Sequence, residues 1–394
     1  MNSNLNRMEE PRKYKIVYVT PALYMAGGVE RVLTLKANFF AERLGYDITI
    51  ILTEGKEKPL FFPLSPKVKV INFDLNFEEL WFGSLLKKIW TYLPKQRLFK
   101  KLLTAELMRI RPDITISLLR REINFINDIK DGSKKVGELH VNRFNYRRLD
   151  DIVKNFWGHC FEFFWKKRLL THLKHLDKFV VLTQDDRNVW PELADVAVIP
   201  LPLPFMPESL SPLSEKRVIA VGRYHYQKGF DLLLKAWQKV EKQHPDWQLA
   251  IYGQGDRKPY IELAERLNLD MDRCRLCGET SDIQSEYINS SFFVLSSRYE
   301  GFGMVLIEAM ACGLPCVSFD CPYGPSDVIE DGEDGVLIEH MNIQALVDGI
   351  CELIENPEKR RSMGKNARKN VLRYSQDAVM QQWIELFDSL TTKE

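Results

Sequence analysis

The stretch Val198–Ser214, VIPLPLPFMPESLSPLS, constrains the fold more than any other segment, because its recurrent prolines remove backbone donors and forbid a regular helix. On either side of it, short apolar runs bounded by turn residues alternate with segments of helical period. Strands are expected before it at Lys15–Thr20, Asp47–Leu52, Lys67–Phe73, Asp113–Leu118, Lys135–Leu139 and Lys178–Leu182. After it they are expected at Arg217–Val221, Trp247–Tyr252, Cys274–Cys277, Phe292–Leu295 and Pro315–Phe319. Strand and helix in alternation predict parallel sheets with crossover helices, so the pattern reads as two doubly wound α/β units. A chain of 394 residues has the length for both. The expected division is residues 1–203, residues 204–375 and a last helical segment over 376–394, with a hinge in the proline-rich stretch.

Within the second unit, the segment Ser297–Phe319, SRYEGFGMVLIEAMACGLPCVSF, carries the most chemistry. Glu300 follows an apolar strand, Gly301 and Gly303 let main-chain N–H groups approach a ligand, and Met304–Ala311 reads as the helix they introduce. Gly313 ends that helix and Pro315 follows. A helix N-terminus attracts phosphate, while carboxylates such as Glu300 and Glu308 accept hydrogen bonds from hydroxyls. Phosphate together with hydroxyls describes a nucleotide sugar. A solvated surface loop is the plainer alternative.

Val218–Lys235, VIAVGRYHYQKGFDLLLK, reads as a buried strand, a loop carrying Arg223 and Lys228, and a helix starting near Gly229–Asp231. Both cations then lie at the carboxyl end of a strand, where open α/β sheets bind ligands, and such a pair suits a diphosphate. Taken alone, the two would more simply be solvated loop residues.

With these motifs the chain resembles the family 4 glycosyltransferases of the GT-B architecture, retaining enzymes that use nucleotide-activated sugars. The resemblance implies two Rossmann-like domains facing across a cleft, with the last helix returning to the first domain. Glu300 and Glu308 match the family's pair of glutamates, and Arg223 and Lys228 its basic pair. Gly253 of AIYGQGD matches its glycine at a strand end and Gly278 of LCGETSD its base-side loop. Gly27 and Gly28 match its first glycine loop. The resemblance implies that Glu308 holds the ribose and Glu300 the transferred sugar, with Gly301, Phe302, Gly303, Met304 and Val305 bordering the donor. Its histidine near donor and acceptor corresponds best to His140 of KKVGELHVNRFNY, for which a structural histidine is the rival reading. The expected donor is a UDP-sugar and the expected acceptor a glycan or lipid-linked glycan of a bacterial surface polysaccharide.

A formal net charge of +1 argues against a nucleic-acid binder driven by bulk positive charge. The sequence contains no run of about 20 uncharged apolar residues, and MNSNLNRMEEPRK lacks an apolar leader core. A cytoplasmic location is therefore expected. The seven cysteines have no framework spacing, and the single C-x-x-C of Cys274 and Cys277 has no second pair, so neither disulfides nor a metal site is expected. Chemistry without a cofactor or metal follows. A dehydrogenase is disfavoured because ALYMAGGVER is not a G-x-G-x-x-G turn. A noncatalytic nucleotide-sugar-binding subunit is disfavoured because cations and acids occur together.

The first unit also interleaves Trp81, Trp90, Tyr92 and Phe99 with Lys87, Lys88, Lys95, Arg97, Lys100 and Lys101. Such a segment suits the surface of an anionic membrane, and equally an amphipathic helix packed on a sheet.

Overall fold

The computed structural model describes residues 12–77, 85–144, 146 and 156–392. Strands form where β-branched and aromatic residues run together, as in the buried KIVYV and DITIIL. β1 (Lys15–Val19), β2 (Asp47–Leu52), β3 (Lys69–Asn72), β4 (Ile114–Ser117), β5 (Lys134–Glu138), β6 (Lys178–Val181) and β7 (Val196–Val198) make one sheet in the order β3-β2-β1-β4-β5-β6-β7. Its helices are α1 (Gly28–Arg43), α2 (Leu85–Ile110), α3 (Phe156–Lys174) and α4 (Gln184–Asn188). β8 (Arg217–Val221), β9 (Gln248–Tyr252), β10 (Cys274–Leu276), β11 (Phe292–Leu295), β12 (Cys316–Phe319) and β13 (Gly335–Ile338) make the second, in the order β10-β9-β8-β11-β12-β13. With them come α5 (Phe230–Gln243), α6 (Lys258–Arg266), α7 (Ile283–Ile288), α8 (Met304–Ala311), α9 (Pro325–Val328), α10 (Ile343–Glu355), α11 (Pro357–Asn370) and α12 (Gln376–Thr391). All the described strand pairings are parallel.

The strand order reverses between β1 and β4 in one sheet and between β8 and β11 in the other. Loops leaving the strands at such a point diverge to opposite faces and open a crevice at the carboxyl ends. The Gly27-Gly28 loop follows β1, His140 follows β5, Arg223 and Lys228 follow β8, and Glu300 follows β11. Topology alone thus puts the candidate residues at strand carboxyl ends.

Two strands escape the sequence reading. β7 lies just ahead of the prolines and β13 is the four-residue GVLI, both too short for a period of two to show. Val198, placed in the irregular stretch by sequence, is the last residue of β7. The helix expected near Gly229–Asp231 begins at Phe230, after a 3-10 turn over Tyr226–Lys228, and Gly229 between them is left-handed with φ 62°. Cys274, Cys312 and Cys316 are buried, and burial pushes the Cys312 thiol up to about 12.

Most of the basic aromatic segment becomes α2. Phe99 is core, in edge-to-face contact with Phe125 at 5.2 Å. Lys95 donates to the Asn76 carbonyl and Lys100 pairs with Asp128 at 2.6 Å, so these two lysines bind their own protein. Leu93, Leu98 and Met108 remain exposed. Trp81 and the side chains of Lys87, Lys88 and Trp90 lie outside the described residues.

The chain ends by returning to the first sheet. Val379, Met380, Trp383, Leu386 and Phe387 of α12 bury themselves with Tyr14, Phe40 and Ile48, while Arg43 of α1 pairs with Asp377 at 2.7 Å. The exposed ion pair contributes little, and the apolar burial holds the helix. Replacing the fully buried Phe387 by Ala should therefore lower stability by about 3–5 kcal/mol, read as a shift in the urea unfolding midpoint.

Candidate functional site

α8 begins from Gly303, whose φ of 86° and ψ of 52° need a glycine. The Glu300–Gly303 turn before it lies against the first domain. A side chain on Gly301 would come within 3.1 Å of the His140 carbonyl, and Asn142 Nδ2 donates to the Glu300 carbonyl at 2.7 Å. On its other side Gly324, with φ 116°, passes so close to the Phe302 carbonyl that a Cβ would sit 2.4 Å from it. Gly28 faces α8 from the opposite domain, where the methyl of Met304 would touch a Cβ at 3.7 Å. The loop after β1 and the N-terminus of α8 thus border one crevice.

Lys228 and Glu300, which the sequence carries on separate segments, meet in the structure. Lys228 Nζ donates to Glu300 Oε1 at 2.6 Å, and Ser297 Oγ donates to the same oxygen at 2.6 Å. The lysine stem crosses Gly222, where a Cβ would lie 2.9 Å from it. Arg223 is exposed at the end of β8 and makes no hydrogen bond or ion pair among the described residues. Glu308 is buried in α8, accepting from Arg31 Nη1 at 2.9 Å and from the Tyr287 hydroxyl at 3.1 Å. Burial raises the Glu308 carboxyl, and Arg31, Tyr287 and Lys228 pull it back.

The glycines divide by role. Gly253 has a packing role: a Cβ there would lie 1.8 Å from the Gly222 carbonyl, and its N–H donates to the Gly278 carbonyl. A Cβ on Gly278 would meet only Arg257 Nη1, at 4.0 Å. Phe302, expected to border the donor, turns its ring into the core against Tyr374 at 5.4 Å, so only its main chain can reach a ligand. Met304 and Val305 are half-buried on the same core, and Gly27 is the extended N-cap of α1.

His140 lies two residues beyond β5. Its Nε2 is 3.1 Å from Glu138 Oε1, off the line of an ideal hydrogen bond, and has no hydrogen-bond partner among the described residues. Glu138 in turn binds Lys36 Nζ through both oxygens at 2.7 Å, with both side chains buried. Burial alone would raise the Glu138 carboxyl, but the Lys36 ammonium and the His140 ring beside it outweigh that and hold it down to about 2. On α1, Glu30 is raised by burial and lies within electrostatic reach of Arg120 and His140.

Sequence reading missed Arg31, Asn142, Tyr287, Ser297 and the Lys36–Glu138 pair. Arg31 had a signal, since it lies three residues after Gly28 on the same helix and so faces the same way. Asn142 is two residues past His140 in the same segment. Tyr287 and Lys36 had none, because only the folded chain brings them to Glu308 and Glu138.

Two doubly wound sheets with cations, acids and a helix N-terminus at their facing ends define a GT-B glycosyltransferase. The sequence profile of Glycosyl transferases group 1 matches residues 204–370. An uncharacterized glycosyltransferase of Haemophilus influenzae is 31% identical over 380 residues, covering 94% of this chain and 98% of that one. A poly(ribitol-phosphate) alpha-N-acetylglucosaminyltransferase of Staphylococcus aureus is 36% identical over 178 residues, 45% of this chain and 36% of that one. Among solved structures, TarM has the same fold, with a TM-score of 0.75 at 19% identity over 97% of this chain and 100% of that one. The chain belongs to the group 1 glycosyltransferase family.

Two outcomes test this geometry. Gly253→Ala should destabilise the second domain and lower its melting temperature, because the clash is with main chain. Ionised Glu138 sits below its ordinary 4.5, so its stabilisation is fully present above about 4.5 and lost as pH falls toward about 2. On acidification the wild type should then lose more stability than Lys36→Met/Glu138→Leu, compared by urea midpoints across that window.

Proposed function

We propose that the protein is a retaining glycosyltransferase that moves a sugar from a nucleoside diphosphate, UDP by preference, to a glycan or lipid-linked glycan acceptor of a bacterial surface polysaccharide. The observation that carries this reading is the convergence of the Lys228–Glu300 pair, the Arg31–Glu308 pair and the N-terminus of α8 on one crevice. A leaving diphosphate needs preorganised positive charge as its bond to the sugar breaks. Arg223, Lys228 and the α8 N–H groups supply it. Glu308 accepts from the ribose hydroxyls and Glu300 from those of the transferred sugar, with His140 beside the sugar and the acceptor. Glu300 and Glu308 are both given over to hydroxyls in this reading, which favours attack from the face the leaving group departs.

Relatives support the substrate class. The curated matches include an amylovoran biosynthesis glycosyltransferase of Erwinia amylovora. The acceptor side is the first domain, and chemistry there needs no divalent ion, because cations and helix N–H groups face the diphosphate. The outer face of α2 carries exposed Leu93, Arg97, Leu98, Lys101 and Met108. That face suits the anionic cytoplasmic surface of a membrane on which a lipid-linked acceptor resides.

A panel of nucleotide sugars, scored by donor hydrolysis and by thermal stabilisation, tests the donor. Arg223→Ala and Lys228→Ala should each cut turnover by about a hundredfold or more with the fold intact. Activity should persist in excess EDTA, and loss restored by magnesium would overturn the metal-free reading. Arg97→Gln/Lys101→Gln should sediment less with anionic vesicles at low salt than the wild type, with unchanged donor hydrolysis. Equal recovery of the two proteins would place α2 as a packed helix alone.

A further inference from the structure

Inside the first domain, a buried chain of charges ends at the candidate sugar-site histidine. Lys36 and Glu138 are the two ends of a salt bridge with 1% and 2% side-chain exposure. A buried ion pair seldom gains enough to offset its desolvation, and two apolar residues of similar size usually serve stability as well. Its presence here calls for a use. Lys36 Nζ sits 3.5 Å over the Trp383 ring of α12 and 5.6 Å from the Tyr18 ring, while both carboxylate oxygens of Glu138 take the ammonium. One of those oxygens, Oε1, also lies 3.1 Å from His140 Nε2, which makes no well-aligned hydrogen bond among the described residues.

The geometry points to Lys36 and Glu138 as positioning residues for His140. They fix its ring with the proton on Nε2, so that Nδ1 is left as an acceptor for a hydroxyl of the donor sugar or of the acceptor. An ionised carboxylate only accepts, so the imidazole nitrogen beside it must carry the proton. Lys36 keeps Glu138 ionised in an interior that would otherwise favour its neutral form. The ring is tied to the second domain through the same segment, because the His140 carbonyl packs on Gly301 and Asn142 binds the Glu300 carbonyl. Glu30 of α1 also lies within electrostatic reach of the ring, and of Arg120 after β4. This role rests on the reading of the crevice as a nucleotide-sugar site, although the proton position does not.

Two measurements separate the claims. In protein carrying 15N-labelled histidine, the wild type should show a protected Nε2–H signal assigned by its loss in His140→Gln. That signal should vanish in Lys36→Met/Glu138→Leu, which removes both charges at once and so avoids an unpaired buried ion. A wild type without the signal, or a double variant that keeps it, overturns the proposal. With the best donor of the panel, the double variant should lose at least about tenfold in kcat, with donor KM and melting temperature close to wild type. Unchanged kcat would make the pair structural only. A wild type that turns over no nucleotide sugar would refute the transferase reading, while the proton on Nε2 would still be judged by the spectrum. Glu138→Gln, which leaves an amide able to donate or accept, should fall between the two in signal intensity and in kcat.

Discussion

Contact between the Glu300–Gly303 turn and the end of β5 makes two separate sheets into one site. Gly301 lets that turn meet the His140 carbonyl, Gly324 supports it from behind, and Asn142 ties its main chain across the domain boundary. A side chain at Gly324 would collide with the Phe302 main chain in the turn from which α8 starts, and one at Gly301 would require the His140 segment to give by a few tenths of an ångström. Because Glu300 and the α8 N-terminus belong to this turn, their placement relative to His140 follows from a close approach of backbones. Ion pairs are secondary to it.

The same economy of space governs the second domain. Gly222 and Gly253 meet main chain to main chain at the ends of β8 and β9, and the stem of Lys228 lies across Gly222. The ammonium is thereby delivered to Glu300 on the neighbouring strand end. Glycines that a sequence reader takes for ligand contacts therefore act one step earlier. They bring strand ends and charged side chains near enough for a ligand to be met by several groups together.

Between the domains, α12 plays the part of a clasp. It leaves the second domain after Ser375 and buries an apolar face under the first sheet, while Trp383 lies against Lys36. A helix that belongs in sequence to one domain thus completes the core of the other. Through Trp383 it also touches the charges behind His140.

Local sequence determined the parts that depend on local chemistry. Alternating strands and helices, the prolines between the domains, and the Gly-Phe-Gly turn opening Met304–Ala311 were all legible, since period, missing donors and positive φ are properties of adjacent residues. The acids Glu300 and Glu308 and the cations Arg223 and Lys228 were legible for the same reason, being held in two short segments. Tertiary structure alone decided what those residues touch. Lys228 is paired with Glu300 across 72 positions of sequence, Arg31 with Glu308 across 277, and Lys36 with Glu138 across 102. The Phe302 ring turned inward for a like reason, because Tyr374 is its neighbour only in the folded chain. Side-chain spacing along the chain says which face a residue can occupy, whereas the partner on that face is set by how sheets and crossover helices pack.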